Sequence, residues 1–264
     1  MIELAVVVLW CTFTIWVALR LLRSRHYSVR ILAALAVLIL NGYLFMQLIS
    51  SGRVQLFGEL MLPPETNHRV VALTFDDGPT RRYTGEVLDV LEQHDVRATF
   101  FLTGSEVTQN PEAARAIVAA GHEIGNHSWS HKRMVGVSRG FVKEEIERTD
   151  DAIRAAGYNG PILFRSPYGK RFLVVPWYLA RTGRPNVWWD LAPDSNPALA
   201  SDGAELARSV VKNTQPGSIV LLHVMYSSRD ESRSALPSII MGLRERGYRF
   251  VTVSELRTLA EQPD

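Results

Sequence analysis

The chain has 264 residues, enough for one domain of α/β-barrel size with an appendage. Its formal net charge is only +2, and the excess of base sits in residues 1–50, where Arg20, Arg23, Arg25 and Arg30 face Glu3 alone; the remainder carries 25 basic against 26 acidic residues, which argues against a DNA- or RNA-binding surface, so no nucleic acid is expected as a partner. The single cysteine, Cys11, lies in an apolar run, so the globular part has neither disulfide nor thiolate and any metal there must be held by His, Asp or Glu.

Two apolar runs open the chain. Residues 4–19 are interrupted only by Thr12 and Thr14, and the full span is 2–22; residues 31–49 are interrupted only by Asn41, Gly42 and Gln47. Each is close to the roughly 20 residues that cross a bilayer core. Between them lies Arg-Ser-Arg-His-Tyr-Ser-Val-Arg (23–30), flanked by Arg20. Short basic loops stay on the cytoplasmic side. The pattern predicts an N-terminal two-helix transmembrane hairpin over 1–50, running out–in–out. The protein is then a multi-pass protein of the cell membrane with everything after about residue 50 outside the cytoplasm. A cleaved signal peptide is the weaker alternative, because Met-Ile-Glu supplies no positive start and no small-x-small site follows the first run.

Residues 51–68, with Pro63 and Pro64, form a connector. From residue 69 short β-rich runs alternate with helical ones. Strands are predicted over 70–75, 99–103, 123–126, 163–165, 186–189, 218–222 and 249–251. Helices are predicted over 85–93, 111–120 (Pro at its start), 138–156 (Ser138 as N-cap, Gly157 as stop), 172–181, 203–213, 235–246 and 254–261. Some seven β/α units predict a parallel sheet, open or closed into a barrel. In such barrels chemistry gathers where strands end.

The polar clusters fall at those ends. Thr74-Phe75-Asp76-Asp77-Gly78-Pro79 closes the first strand. At the turn both carboxylates reach one pocket, where a metal neutralises one and leaves the other as a base; alone, the segment equally suits a plain turn. His127-Ser128-Trp129-Ser130-His131 follows the third strand. Four-residue spacing puts both imidazoles on one face of a helical turn, and two histidines with one carboxylate make a metal set with open positions. In Arg165-Ser166-Pro167-Tyr168-Gly169, Arg165 is placed to pair with Asp76 and the turn offers backbone N–H groups to an oxyanion. His223 ends Leu221-Leu222-His223 as a general acid or base. His26, His68, His94 and His122 are expected to be solvated or structural, and Glu144, Glu145 and Glu147 a solvated helix face.

Taken together and in this order, these motifs resemble those of the polysaccharide deacetylases with a NodB-homology domain (carbohydrate esterase family 4), over about residues 69–259. The resemblance implies a distorted (β/α)7 barrel, so that 69–264 is the catalytic domain. It implies one divalent metal, Zn2+ first with Co2+, Ni2+ or Fe2+ as substitutes, on Asp77, His127 and His131. It implies Asp76 as catalytic base, Arg165 as its orienting partner, Tyr168 N–H at the oxyanion, Leu221 lining the acyl pocket and His223 as general acid. One motif departs from the family pattern: no tryptophan follows an aspartate after the fifth strand. In Trp188-Trp189-Asp190-Leu191-Ala192-Pro193-Asp194 the partner of His223 is expected to be Asp194 first and Asp190 second, and the acyl pocket is expected to be wider or to take its wall from elsewhere. The implied activity is removal of N-acetyl groups from peptidoglycan-like or chitin-like N-acetylglucosamine polymers at the membrane surface. The alternatives are deacylation or deformylation of a lipid-linked amino sugar, and a non-catalytic glycan-binding membrane protein.

Overall fold

The computed structural model describes residues 2–21, 26–50, 52 and 55–261. The chain divides into two compact units, Met1–Val54 and Gln55–Asp264.

The first unit holds α1 (Ile2–Leu21) and α2 (Tyr27–Ser50). The polar residues that interrupt each apolar run meet: the buried Thr14 places Oγ1 3.2 Å from Asn41 Oδ1, and Asn41 Nδ2 donates to Val37 O at 2.7 Å. Such pairs spare apolar helices an unsatisfied polar group. Phe13, Ile15, Leu19, Leu32, Leu38 and Ile39 point outward, exposed. Among the described residues one helix, over Tyr27–Leu44, is long and apolar enough to cross a membrane by length and composition. The sequence predicts two. Leu22, at the end of the first expected span, and Arg23 and Arg25 of the expected cytoplasmic loop lie outside the described residues.

In the second unit β2 (Val70–Asp76) is central. It pairs in parallel with β3 (Thr99–Leu102) through Thr74 to Asp76, with β6 (Ile219–His223) through Ala72 to Asp76, and with β7 (Arg249–Val251) through Val70 to Ala72. Next to β3 lies β4 (Glu123–Asn126), also parallel. A short parallel pair, β1 (Leu60–Met61) with β5 (Asn186–Val187), is tied in by single-residue bridges from Asn126 to Phe164 and from Phe164 to Asn186, and a further bridge joins Leu191 to Val220. The ladder therefore continues from β4 round towards β6, as an α/β fold with a parallel sheet.

The helices follow the alternation: α3 (Tyr83–Gln93), α4 (Gly104–Gln109), α5 (Pro111–Ala119), α6 (Arg139–Ala155), α7 (Val174–Thr182), α8 (Pro197–Ala200), α9 (Gly203–Asn213), α10 (Asp230–Glu245) and α11 (Val253–Ala260). Ser138 caps α6 by accepting from Phe141 N at 3.1 Å, and Gly157 stops it at φ 96°, as the sequence predicts.

Alternation along each strand sorts the side chains between two layers. Phe75, Phe100, Leu102, Ile124, Val220 and Leu222 join the large apolar cluster under the helices. Ala72, Phe101, Ile219 and Val251 join a smaller cluster on the opposite face. Thr74 and Asp76 continue the face of Ala72, and Leu221 and His223 continue that of Ile219. Towards the C-terminal strand ends this inner face turns from apolar to polar, and there the chemistry gathers.

Three predicted elements differ. Residues 163–165 form no strand, only the bridge at Phe164, because Pro161 and Pro167 bracket the segment and neither has an N–H to give a ladder. The strand predicted over 186–189 stops at Val187. The helix predicted from 235 begins at Asp230 and carries Pro237 inside it; burial of Ala235, Leu236, Ile239, Ile240 and Leu243 holds the helix through the missing hydrogen bond. Helices α4 and α8 lie where the sequence predicts none.

Candidate active site

The strand β2 ends at Asp76, and the chain then turns sharply: Asp77 has φ 74° and Gly78 φ 74°. The turn frees Asp77 from strand alternation, so that it and Asp76 serve one site. Three hydrogen bonds pin it. Asp77 N donates to Phe101 O at 3.1 Å, Thr103 N to Gly78 O at 3.0 Å, and Gly78 N to Glu106 Oε2 at 2.9 Å. Glu106 also accepts from Thr103 Oγ1 at 2.6 Å and from the Tyr226 hydroxyl at 2.9 Å. Burial, then the negative charges of Asp77 and Glu106, push the Tyr226 hydroxyl well above its ordinary value.

His127 and His131 do not lie on a helical turn, contrary to the spacing argument. Their segment is a loop in which Ser128 has φ 65° and His131 φ 53°. Its shape is fixed from outside: Ser128 N donates to Asn126 Oδ1 at 2.8 Å, and Ser130 N and Oγ donate to the Glu145 carboxylate at 2.8 and 2.7 Å. Glu145 is thus buried and bonded, which corrects its assignment to a solvated face. The signal was in the helical period: Val142, Glu145 and Thr149 share the inward side of α6.

The loop nevertheless brings both rings to Asp77. One ligand atom from each of Asp77, His127 and His131 lies within 4.8 Å of the others. Asp77 Oδ1 stands 3.3 Å from His131 Nε2 and 4.0 Å from His127 Nε2. His127 Nδ1 is 2.8 Å from Arg165 O; a carbonyl only accepts, so Nδ1 carries the proton and Nε2 presents its lone pair to the site. Burial, then the neighbouring His127, push His131 below the ordinary histidine range despite the opposing pull of Asp77 and Asp76, which favours its neutral ring. Asp77 Oδ1 is buried and makes no hydrogen bond among the described residues. A buried carboxylate oxygen without a donor is costly. Together with the two imidazoles it fits a divalent cation.

Asp76 borders that set, with Oδ2 3.5 Å from His127 Nε2, but is not one of its three donors. Arg165, fully buried, donates from Nη1 to Asp76 Oδ1 at 2.7 Å and to Thr74 Oγ1 at 2.8 Å, and lies 4.0 Å above the Phe101 ring. Burial raises the Asp76 carboxyl, but Arg165 first, then His127 and His223, hold it below the usual carboxylate range. Removing the guanidinium alone leaves a buried, uncompensated charge, at about 3–5 kcal/mol. The Arg165–Asp76 pair is as the sequence predicts.

Across the sheet, Asp76 and His223 are register partners, as are Thr74 and Leu221, so all four share the inner face. Leu221 is buried there. His223 Nδ1 lies 3.2 Å from Asp194 Oδ1, and its backbone N donates to Asp194 Oδ2 at 2.6 Å. Burial pulls the His223 ring down, but Asp194, then Asp76 and Asp77, raise it above the ordinary histidine value. Asp190 is used elsewhere: its carboxylate accepts from Ser218 Oγ at 2.6 Å and Ile219 N at 2.8 Å, fixing the start of β6. That rules it out as the partner of His223.

Tyr168, at φ 56°, turns its exposed ring onto His131 with centroids 4.6 Å apart. Trp188 and Trp189 stack on each other at 4.3 Å. A Cβ on Gly169 would stand 2.7 Å from Trp188 Cη2, so only glycine lets the turn seat on the indole pair. His122 is structural, as expected: it packs on Phe100, and burial lowers it to about 4.

The polysaccharide deacetylase family model matches residues 64–186. A peptidoglycan-N-acetylglucosamine deacetylase of Bacillus cereus is 37% identical over 194 residues, covering 72% of this chain and 89% of that protein. The crystal structure of the Bc1960 peptidoglycan N-acetylglucosamine deacetylase superposes with a TM-score of 0.68 at 31% identity, over 73% of this chain and 90% of that one. A CE4 family pseudoenzyme of Bacillus anthracis superposes at 0.65 with 31% identity, over 73% of this chain and 66% of that one, so the fold alone does not decide activity. With the inner face carrying the motifs that drew the resemblance, and with identity of this degree across most of a relative's length, the chain belongs to the polysaccharide deacetylase family of amide-bond hydrolases, with the NodB-type fold of carbohydrate esterase family 4.

Proposed function

We propose that the chain is a metal-dependent N-deacetylase of N-acetylglucosamine polymers, peptidoglycan-like material first, held at a membrane by the N-terminal helix pair with residues 69–264 as a distorted (β/α)7 catalytic domain outside the cytoplasm. One observation carries the catalytic part. Asp77 Oδ1 is buried without a hydrogen bond between two imidazoles, beside a second carboxylate already neutralised by Arg165. An ion at the first carboxylate leaves the second free to act as a base.

Asp77, His127 and His131 are the residues that would hold the metal, and Zn2+ suits the donor set, with Co2+, Ni2+ or Fe2+ as substitutes. When bound, a divalent ion supplies an activated water and positive charge for the transition state. The other steps belong to the chain. Asp76, its Oδ1 held by Arg165, takes the proton of the attacking water on Oδ2. The Tyr168 N–H donates to the developing oxyanion. His223, whose protonated form Asp194 favours, gives its proton to the leaving amine. Leu221 bounds the acyl methyl, and the stacked Trp188 and Trp189 are the aromatic wall. Acetate and a free amino sugar are the products.

Two findings support the membrane placement. Most of the described exposed side chains of both helices are apolar, and the arginines concentrate between the runs. A reporter fused at the C-terminus tests it, and a cytoplasmic signal overturns it. For the chemistry, the purified full chain is analysed for metal and assayed for acetate release from wall peptidoglycan, N-acetylglucosamine oligomers and lipid-linked amino sugars. Stoichiometric metal with release from the polymers is expected. Release that survives chelation, or bound metal with no hydrolysis of any acylated sugar, defeats the proposal.

A further inference from the structure

We infer that the rim of the cleft beside His131 and Tyr168 binds carboxylates carried by the polymer, so that the substrate is an anionic glycan rather than a neutral one; this rests on the deacetylase reading and narrows it. The observation is a local segregation of charge. After residue 50 the chain carries as many acids as bases to within one, 26 against 25. Yet the loops over 127–138 and 165–173 hold no carboxylate at all, and the turn over 77–82 holds only Asp77. By contrast, residues 188–202 hold Asp190, Asp194 and Asp202 and no base.

Some of the bases on these loops are engaged. Arg165 serves Asp76, and Arg171 is buried against Trp188. Arg82 faces Glu86, and Arg81 lies near enough to Glu112 to lower its pKa. Lys132, Arg133 and Lys170 remain. The first two are exposed and the third half-buried, and none has a carboxylate partner among the described residues. Their position ties them to the cleft. Lys132 and Arg133 directly follow His131. The Arg133 guanidinium lies 5.1 Å from the centroid of the Tyr168 ring, which itself lies 4.6 Å from that of His131. Lys170 follows Tyr168 by two residues. A column of guanidinium, phenol and imidazole thus leads from solvent to the candidate metal set.

Three cations unpaired among the described residues, on two loops joined side by side by the Met134–Arg171 bridge, complement negative groups carried by the polymer beside the sugar being hydrolysed. A neutral N-acetylglucosamine polymer offers them hydrogen-bond acceptors but no opposite charge. Continuity with the cleft favours a glycan over a lipid surface as the source of the charge.

The test uses the full chain in neutral detergent and peptidoglycan strands of one length, either with free carboxylates or with the carboxylates converted to methylamides. Binding is measured beside kcat/KM. At low salt, amidation is expected to weaken both by on the order of ten-fold, two- to five-fold per lost contact, and the gap is expected to narrow as salt is raised. The variant K132Q/K170Q is expected to bring the ratio of charged to amidated substrate down towards one. Equal binding and turnover of charged and amidated strands overturns the inference while leaving the deacetylase reading intact. Absence of acetate from every strand, with metal bound, defeats the deacetylase reading, and the binding ratio still decides the rim. If anionic lipid vesicles bind in a K132Q/K170Q-sensitive way and charged strands do not, the rim is a membrane surface and the inference fails.

Discussion

His131 and His223 border the same two carboxylates, yet their surroundings push them in opposite directions. At His131 burial and a second imidazole outweigh Asp77 and Asp76 and push the ring below the ordinary histidine range. At His223 the directly bonded Asp194, with Asp76 and Asp77 behind it, overcomes burial and raises the ring above the ordinary histidine value. Two histidines in one cleft thus suit two tasks, one to give a lone pair and one to give a proton. A bonded carboxylate, more than the degree of burial, decides between them.

The sharpest break is on the metal side. Asp77→Ala is expected to abolish stoichiometric metal binding and lower kcat/KM by on the order of 10³-fold or more, checked by metal analysis and acetate release; activity persisting in metal-free protein would sink the assignment. On the other side, His223→Ala is expected to retain the metal and lower kcat by on the order of 10²-fold or more. Equal loss of metal in both variants would erase the distinction between the two histidines.

Subtler changes act through neighbours. Glu145→Ala frees Ser130 and with it the loop that carries His131, so metal affinity is expected to fall by about 10–100-fold, read by competition with a chelator, while kcat at saturating metal falls much less. Unchanged affinity would show that the loop holds its shape without Glu145. The smallest expected effect is a shift of profile. His223 is raised, so its acid form persists to higher pH than in an ordinary histidine. Asp194→Asn removes the main raising influence, so the alkaline limb of kcat against pH is expected to move to lower pH. An unmoved limb would mean that another group supplies the proton.

Much of this site was legible along the chain. The paired aspartates, the two histidines, Arg165 and His223 each fall at a predicted strand end, and the Arg165–Asp76 pair follows from charge alone. Geometry inside the loops was less legible. Spacing gave a helical turn for 127–131, but Ser128 and His131 adopt left-handed backbone. Glu106 and Tyr226 had no local mark, because their roles come from contact with each other and with Gly78 across 28 to 120 positions of chain. Asp190 and Asp194 looked alike in composition. Only the register of β6 decides that the first meets Ser218 and the second meets His223.

By itself the sequence determined the alternation of strands and helices, the apolar start and the residue types of the site, because hydrophobic period and turn chemistry are properties of neighbours along the chain. Tertiary structure decided which carboxylate faces which ring, which glutamate is buried and which cations stay unpaired. Those depend on distances between segments far apart in sequence, and burial and pairing act only once the segments have met.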